Sequence, residues 1–65
     1  MWIEHEGGIY NLDTVATISK DNLKVYPTIC LQFANDAEAD LEFTTIEQVE
    51  AAYIVLKNLL KALTV

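Results

Sequence analysis

The sequence has no arginine, one cysteine and one histidine. Arginine makes the commonest protein contacts to bases and phosphates, and here ten acidic residues stand against four lysines, for a net charge of −6. Cys30 has no second cysteine to pair with, and one cysteine with one histidine lacks the paired-ligand spacing of a zinc site. We therefore expect no nucleic acid, no metal and no cofactor to bind, and we attribute the acidic charge to solubility.

The sequence also lacks a long apolar run. A transmembrane helix needs roughly 18 or more apolar residues, and Lys57, Asn58 and Lys61 interrupt the apolar tract nearest the end of the chain. The first residues include acidic side chains where the leader of a secreted protein would be basic. Together with one unpaired thiol, these features predict a cytoplasmic protein that does not contact membranes.

Residues able to carry catalysis are scarce and isolated. Ser19 is the only serine and has no visible partner, and His5 lies between two acids that a strand would point to its opposite face. Cys30 becomes a nucleophile only where a base lowers its pKa. Gly7-Gly8 is not followed by the lysine and hydroxyl residue of a phosphate loop. We therefore predict no catalytic residue, and a small enzyme or enzyme subunit using His5 or Cys30 is the less favoured alternative.

The clearest positive signal is a change of apolar spacing at Thr44-Thr45. Apolar residues recur at every second position before it and at every third or fourth position after it, which is typical of strands followed by an amphipathic helix. The first set is Ile29, Leu31, Phe33, Ala39, Leu41 and Phe43; the second is Ile46, Val49, Tyr53, Leu56, Leu60 and Leu63. The pattern predicts one α+β domain over residues 1–65, with an antiparallel meander of four to five strands over about 1–43 and one helix over about 45–63 packed on one face.

Turn residues divide the predicted sheet into strands. Gly7-Gly8 predicts a tight hairpin turn, and Asn35-Asp36 predicts a second one, across which the inward-facing apolar residues match. Leu12 stands between two residues that favour a bend. Residues 23–26 are compatible with a short strand, and Pro27 belongs at a sheet edge or in a connection.

The predicted helix carries more apolar surface than a small sheet needs. It begins with two overlapping capping boxes, Thr44 with Glu47 and Thr45 with Gln48. At about 100° per residue its apolar residues cover roughly half of the circumference, whereas a surface helix usually needs a stripe little wider than ~100°. Ile54 falls outside this arc and is predicted to be exposed. Either a thin domain wraps its only helix closely, or a partner covers the surplus.

Small size favours the partner. A chain of about 60 residues buries only about 60% of its unfolded surface and often needs a disulfide, a metal or oligomerisation. The first two are not expected here, and the hydrophobic content of 52% is high enough to supply an interface. We therefore predict a non-enzymatic intracellular protein that forms a homo-oligomer and mediates protein–protein interaction. The candidate interface residues are Trp2, Cys30, Tyr53, Ile54, Val55, Leu59 and Leu63.

Four acidic residues alternate along the second hairpin: Asp36, Glu38, Asp40 and Glu42. On a strand they would share one face at intervals of about 7 Å, which is open for a cation cage. We interpret them as a solvated face that discourages edge pairing. A divalent-metal-responsive or acidic-surface regulatory protein is the alternative function.

The layout of the chain resembles a known family. The run from Gly8 to Ile18, the strand residues 28–31, the turn Asn35-Asp36 and the helix start at 47–49 resemble the layout of small bacterial FlbD-like flagellar-operon proteins. This chain is more acidic, and Asn35-Asp36 stands where those proteins usually have Asn-Gly. The layout is also similar to the closing sheet-and-helix half of a pleckstrin-homology-like domain. The resemblance implies a sheet with a C-terminal helix and no catalytic residue.

Overall fold

Five antiparallel strands and one C-terminal helix make up the computed structural model, which describes all 65 residues. The elements in chain order are β1 (Trp2–His5), β2 (Gly8–Asn11), a single 3₁₀ turn (Leu12–Thr14), β3 (Val15–Asp21), β4 (Thr28–Phe33), β5 (Glu38–Glu42) and α1 (Ile46–Leu59). The α+β class is confirmed. The strands form two sheets rather than one meander, with β1 and β2 in the first and the order β3-β4-β5 in the second.

The first hairpin turns at Glu6-Gly7, one residue earlier than predicted. Both residues have positive φ, 50° and 83°, as a two-residue type I′ turn requires. Gly8 is instead the first residue of β2. A Cβ there would lie 2.6 Å from the hydroxyl oxygen of Tyr10, so glycine is needed for the close approach of that ring.

The bend predicted around Leu12 is the 3₁₀ turn. The side-chain oxygen of Asn11 accepts a hydrogen bond from the Asp13 amide at 3.0 Å, and the Thr14 hydroxyl donates to the Asn11 carbonyl at 3.1 Å. These bonds satisfy backbone groups that would otherwise continue the strand. The turn directs Leu12 into the core, where it is 3% exposed.

The second sheet has the predicted register across its hairpin. Ile29 lies opposite Leu41, and Leu31 lies between Ala39 on β5 and Ile18 on β3. The apolar members of these pairs therefore share the face that α1 covers. Ala16 is the extra residue of an irregularity between Val15 and Thr17. The hairpin turn places Asp36 at φ 67°, in the left-handed position that usually holds glycine.

Residues 22–27 form a connection and not the short strand considered for 23–26. Leu23 and Val25 are 98% and 93% exposed, so neither contributes to the core. The Asp21 carboxylate accepts a hydrogen bond from the Leu23 amide at 3.0 Å and turns the chain at the end of β3.

The helix begins where its second capping box predicts. Thr45 is the N-cap, and its hydroxyl oxygen accepts from the Gln48 amide at 3.2 Å. The Gln48 side chain returns to Thr44, accepting from its amide at 3.0 Å and from its hydroxyl at 2.8 Å. The helix therefore starts with several of its unpaired amide groups satisfied.

The helix ends at Leu59 and is therefore shorter than the predicted span of about 45–63. The Lys61 amide donates a hydrogen bond to the Asn58 carbonyl at 3.1 Å, and the Ala62 amide donates one to the Lys57 carbonyl at 3.0 Å. With Lys61 at φ 55°, these two bonds form a Schellman motif. A lysine here occupies the position that glycine usually fills.

The core is small and lies between α1 and the second sheet. Six apolar side chains are buried: Leu12, Ile29, Leu31, Leu41, Val49 and Leu56. The first hairpin adds Ile3 and Tyr10 at the margin of this cluster. The core therefore uses one side of the helix only, and the other side is free.

Candidate interaction surface

The side of α1 opposite the core is exposed and mostly uncharged, with Glu47 of the first helical turn as its one acidic side chain. We call the set Ala51, Ile54, Val55, Asn58 and Leu59 the α1 outer face. Its three large members, Ile54, Val55 and Leu59, are 58%, 56% and 37% exposed. The prediction that Ile54 is exposed is confirmed. Buried Val49 and Leu56 lie on the opposite side of the helix, since successive residues turn by about 100°.

The charged side chains in the middle of the helix lie on its flank towards β3. Lys20 of β3 places its ammonium nitrogen 2.9 and 3.1 Å from the two carboxylate oxygens of Glu50. The same nitrogen lies 4.7 Å from the centre of the Tyr53 ring. Tyr53 is thus half-buried on this flank, and the structure does not bring it together with the α1 outer face.

The remaining candidate interface residues lie on three other surfaces. Trp2, 65% exposed, shares the outer side of the first hairpin with Ile9. Cys30 lies on the outer side of the second sheet, between Ser19 and Asp40. Leu63 follows the helix and is 88% exposed. Only Ile54, Val55 and Leu59 of the seven residues form one continuous surface.

Cys30 has a polar environment on the outer side of the second sheet. Partial burial raises the pKa of its thiol, and the Asp40 carboxylate opposite raises it further through hydrogen bonding and charge. The Lys24 ammonium donates to Asp40 at 3.2 Å, and this contact raises the pKa of Lys24. A raised thiol pKa means less thiolate at neutral pH, which is the opposite of an activated nucleophile.

The four alternating acids do not share one face. Asp36 belongs to the hairpin turn, and only Glu38, Asp40 and Glu42 alternate along β5. No group of three or more cysteine, histidine or acidic side chains is arranged to hold a metal ion. The divalent-metal alternative stays a prediction without a ligand set to support it.

His5 makes a structural contact between the two sheets. Its Nε2 lies 2.7 Å from the carbonyl oxygen of Glu42, and its ring centre lies 4.6 Å from that of Phe43. The Glu6 carboxylate is 4.0 Å from the same nitrogen. The imidazole therefore contacts both the backbone of β5 and the ring that follows it.

Sequence reasoning missed the apolar residues of the 22–27 connection. Leu23, Val25 and Tyr26 are all exposed, the last by 54%. The available signal was their position between the Asp21-Asn22 turn and Pro27, which has no amide hydrogen to donate to a neighbouring strand.

No family model, curated protein or solved structure matches this chain. The resemblance to FlbD-like and pleckstrin-homology-like proteins therefore stays a prediction from layout. The one helix, at 14 residues, is too short to cross a bilayer.

Proposed function

We propose that the protein is a non-enzymatic interaction module that self-associates through the α1 outer face. The observation that carries the proposal is the exposure of large apolar side chains on this face, where Ile54 and Val55 are 58% and 56% exposed. Exposed apolar surface of this kind normally marks association. The single cysteine, which is free, is consistent with the cytoplasmic setting that belongs to this proposal.

Charge favours this face over the rest of the surface. Two copies that each carry a net charge of −6 repel one another over most orientations. Packing two α1 outer faces together places five uncharged residues from each copy between the acidic surfaces. Ala51 allows close approach at the centre, within the helix separation of about 8–10 Å that side-chain packing permits.

The expected association is weak. A fully buried aliphatic side chain contributes about 1.5–3 kcal/mol, and the three large residues of the face are already about half covered. A twofold interface uses each of them twice, which amounts to about 6 kcal/mol before the cost of about 4–15 kcal/mol for association. Contacts at the rim therefore decide whether the complex forms at micromolar or at millimolar protein.

Sedimentation equilibrium from micromolar to millimolar protein tests the proposal. The average mass should rise with concentration, and Ile54→Lys or Leu59→Lys should keep the protein monomeric because each buries a charge in the interface. Leu23→Lys is the matched control, since Leu23 is exposed on the 22–27 connection. A monomer at the highest concentration excludes self-association, and an oligomer that both α1 variants retain excludes this face.

A further inference from the structure

A groove of about 580 Å³ lies between β3 and the C-terminal half of α1, separate from the α1 outer face. Ile18 of β3, Tyr53 of α1 and Leu60, which follows α1 directly, contribute apolar lining, and Lys57 lies beside them. Leu63 and Thr64, which follow the helix, complete the lining. Seven of the ten lining residues are hydrophobic, and Lys57 is the one cation among them.

The strand beside the groove has an unpaired edge. Backbone bonds from Phe43 to Pro27 and from Phe33 to Ala37 show that the odd-numbered residues of β4 bond to β5. The even-numbered residues of β4 therefore bond to β3, through Thr17, Ser19 and Asp21. The amide and carbonyl groups of the intervening residues Ile18 and Lys20 point away from the sheet, where β3 has no neighbour.

The opposite edge of the same sheet is protected. The exposed side chains of β5 are all acidic. The His5 imidazole forms a hydrogen bond of 2.7 Å with the backbone carbonyl of Glu42. Charged side chains and covered backbone groups prevent further strands from pairing at an edge. On β3 the exposed residues Ala16, Thr17 and Ser19 are uncharged, and exposed Lys20 is directed towards α1, where it pairs with Glu50. Strand addition to this sheet is therefore open at β3 only.

Charge distinguishes the groove from the rest of the molecule. None of its ten lining residues is acidic, although ten of the fourteen charged residues in the chain are. Lys57 lies in the lining, and Lys61 follows Leu60 directly. The Glu50 carboxylate, on the flank of α1 towards β3, is paired with Lys20 at 2.9 Å. An acidic side chain that enters the groove would meet Lys57 and no acidic lining residue.

We propose that this groove binds an extended acidic segment of a partner protein, which adds to β3 as a further strand of the sheet. The backbone of the segment bonds Ile18 and Lys20, and alternate apolar side chains enter the groove against Tyr53 and Leu60. One groove-facing position of the segment carries an acidic side chain that lies near Lys57, because the intervening positions of a strand face the other side of the sheet. This site is independent of the self-association proposed for the α1 outer face.

Fluorescence anisotropy with a labelled peptide tests the proposal. The probe has the length of β3, seven residues, with valine and one glutamate at the alternate positions that face the groove and threonine at the other positions. Saturable binding is expected, with shifts of the Ile18 and Lys20 amide resonances. Two control peptides, one with lysine in place of glutamate and one N-methylated at alternate amides, should bind at least about tenfold more weakly.

Protein variants distinguish binding in the groove from nonspecific electrostatic attraction between the peptide and the protein. Lys57→Glu should weaken binding of the valine–glutamate peptide by about threefold or more, whereas Lys24→Glu, the same change on the other side of the sheet, should have little effect. Ile54→Lys should bind the peptide as the parent does. Equal losses in both lysine variants, or equal binding of the N-methylated peptide, would refute strand addition in this groove. If no peptide binds and the Ile18 amide shifts with protein concentration, the occupant is a second copy and the proposal is wrong.

Discussion

The imidazole Nε2 of His5 lies 2.7 Å from the carbonyl oxygen of Glu42, 37 residues further along the chain. A carbonyl oxygen only accepts hydrogen bonds, so Nε2 is the protonated ring nitrogen. The ring also packs on Phe43 with an interplanar angle of 42°. Through this residue the first hairpin is attached to the end of the second sheet.

Two substitutions of His5 should weaken that attachment by different amounts. His5→Phe keeps an aromatic ring beside Phe43 but loses the hydrogen bond, which should lower the free energy of unfolding by about 1 kcal/mol. His5→Ala loses the bond and the ring contact, at a cost of about 2 kcal/mol. Urea unfolding measures both. Glu42→Ala is the control, because the bond uses the backbone carbonyl and should survive; a His5→Phe variant as stable as the parent would contradict the interpretation.

The end of the helix predicts a stabilising substitution. Lys61 adopts φ 55°, a conformation that costs a side chain about 1–2 kcal/mol and costs glycine little. Lys61→Gly should therefore raise the free energy of unfolding by about 0.5–1 kcal/mol, after allowing for the lost attraction between lysine and the helix end. Ala51→Gly, inside the helix, should lower it by about 0.5–1 kcal/mol. Thermal unfolding distinguishes the two signs, and a loss of stability in both variants would exclude the Schellman assignment.

Alanine substitutions at the two glycines of the first hairpin should lower the free energy of unfolding for different reasons. Gly8→Ala places a Cβ 2.6 Å from the Tyr10 hydroxyl oxygen and 2.9 Å from its ring, which should cost about 1 kcal/mol or more. In a Tyr10→Ala background that cost should disappear. Gly7→Ala is strained by its φ of 83°, with no atom close to the new Cβ, so Tyr10→Ala should not rescue it. A double-mutant cycle in urea measures the coupling, and identical behaviour of the two glycines would disprove the steric explanation.

The reactivity of Cys30 should depend on pH in a defined direction. Burial and the Asp40 carboxylate raise the pKa of this thiol above its ordinary 9.0, so the folded protein favours the neutral thiol. Its contribution to stability is therefore complete below pH 9.0 and is lost as the pH rises through the raised value. The midpoint of iodoacetamide alkylation should lie at higher pH in the folded protein than in urea.

Asp40→Asn removes a carboxylate that raises the pKa of the Cys30 thiol, so the midpoint of alkylation should move to lower pH. Asp36→Asn removes the same charge from the hairpin turn, away from Cys30, and is the matched control. A folded protein that alkylates at the same midpoint as the unfolded chain would show that Asp40 and burial do not act on the thiol.

Much of the fold follows from local signals in the sequence. The change of apolar spacing at Thr44-Thr45 predicts the helix start because the capping side chains and the period agree there. The inward pairs of the second hairpin follow from alternation, since one face of a strand must be buried. The exposure of Ile54 follows from its angle on the helix.

Other features depend on information that is not local. The helix ends at Leu59 without a glycine or proline to mark the end, and a lysine takes the left-handed position. Residues 23–26 contain side chains that favour strands, but no neighbouring strand lies within reach to pair with them. The attachment of the first hairpin to the second sheet uses the contact between His5 and Glu42, which are far apart in sequence. The groove beside β3 requires knowledge of which strand lies at the edge and where the helix crosses it.

The unequal edges of the second sheet determine what assemblies it can form by strand pairing. In the language of polymer chemistry, a sheet with two open edges is a bifunctional monomer and grows without limit. With β5 blocked by its acids and by His5, this sheet is monofunctional, because only β3 can accept another strand. Edge-to-edge pairing between copies therefore stops at two, and a strand supplied by another protein ends the growth altogether.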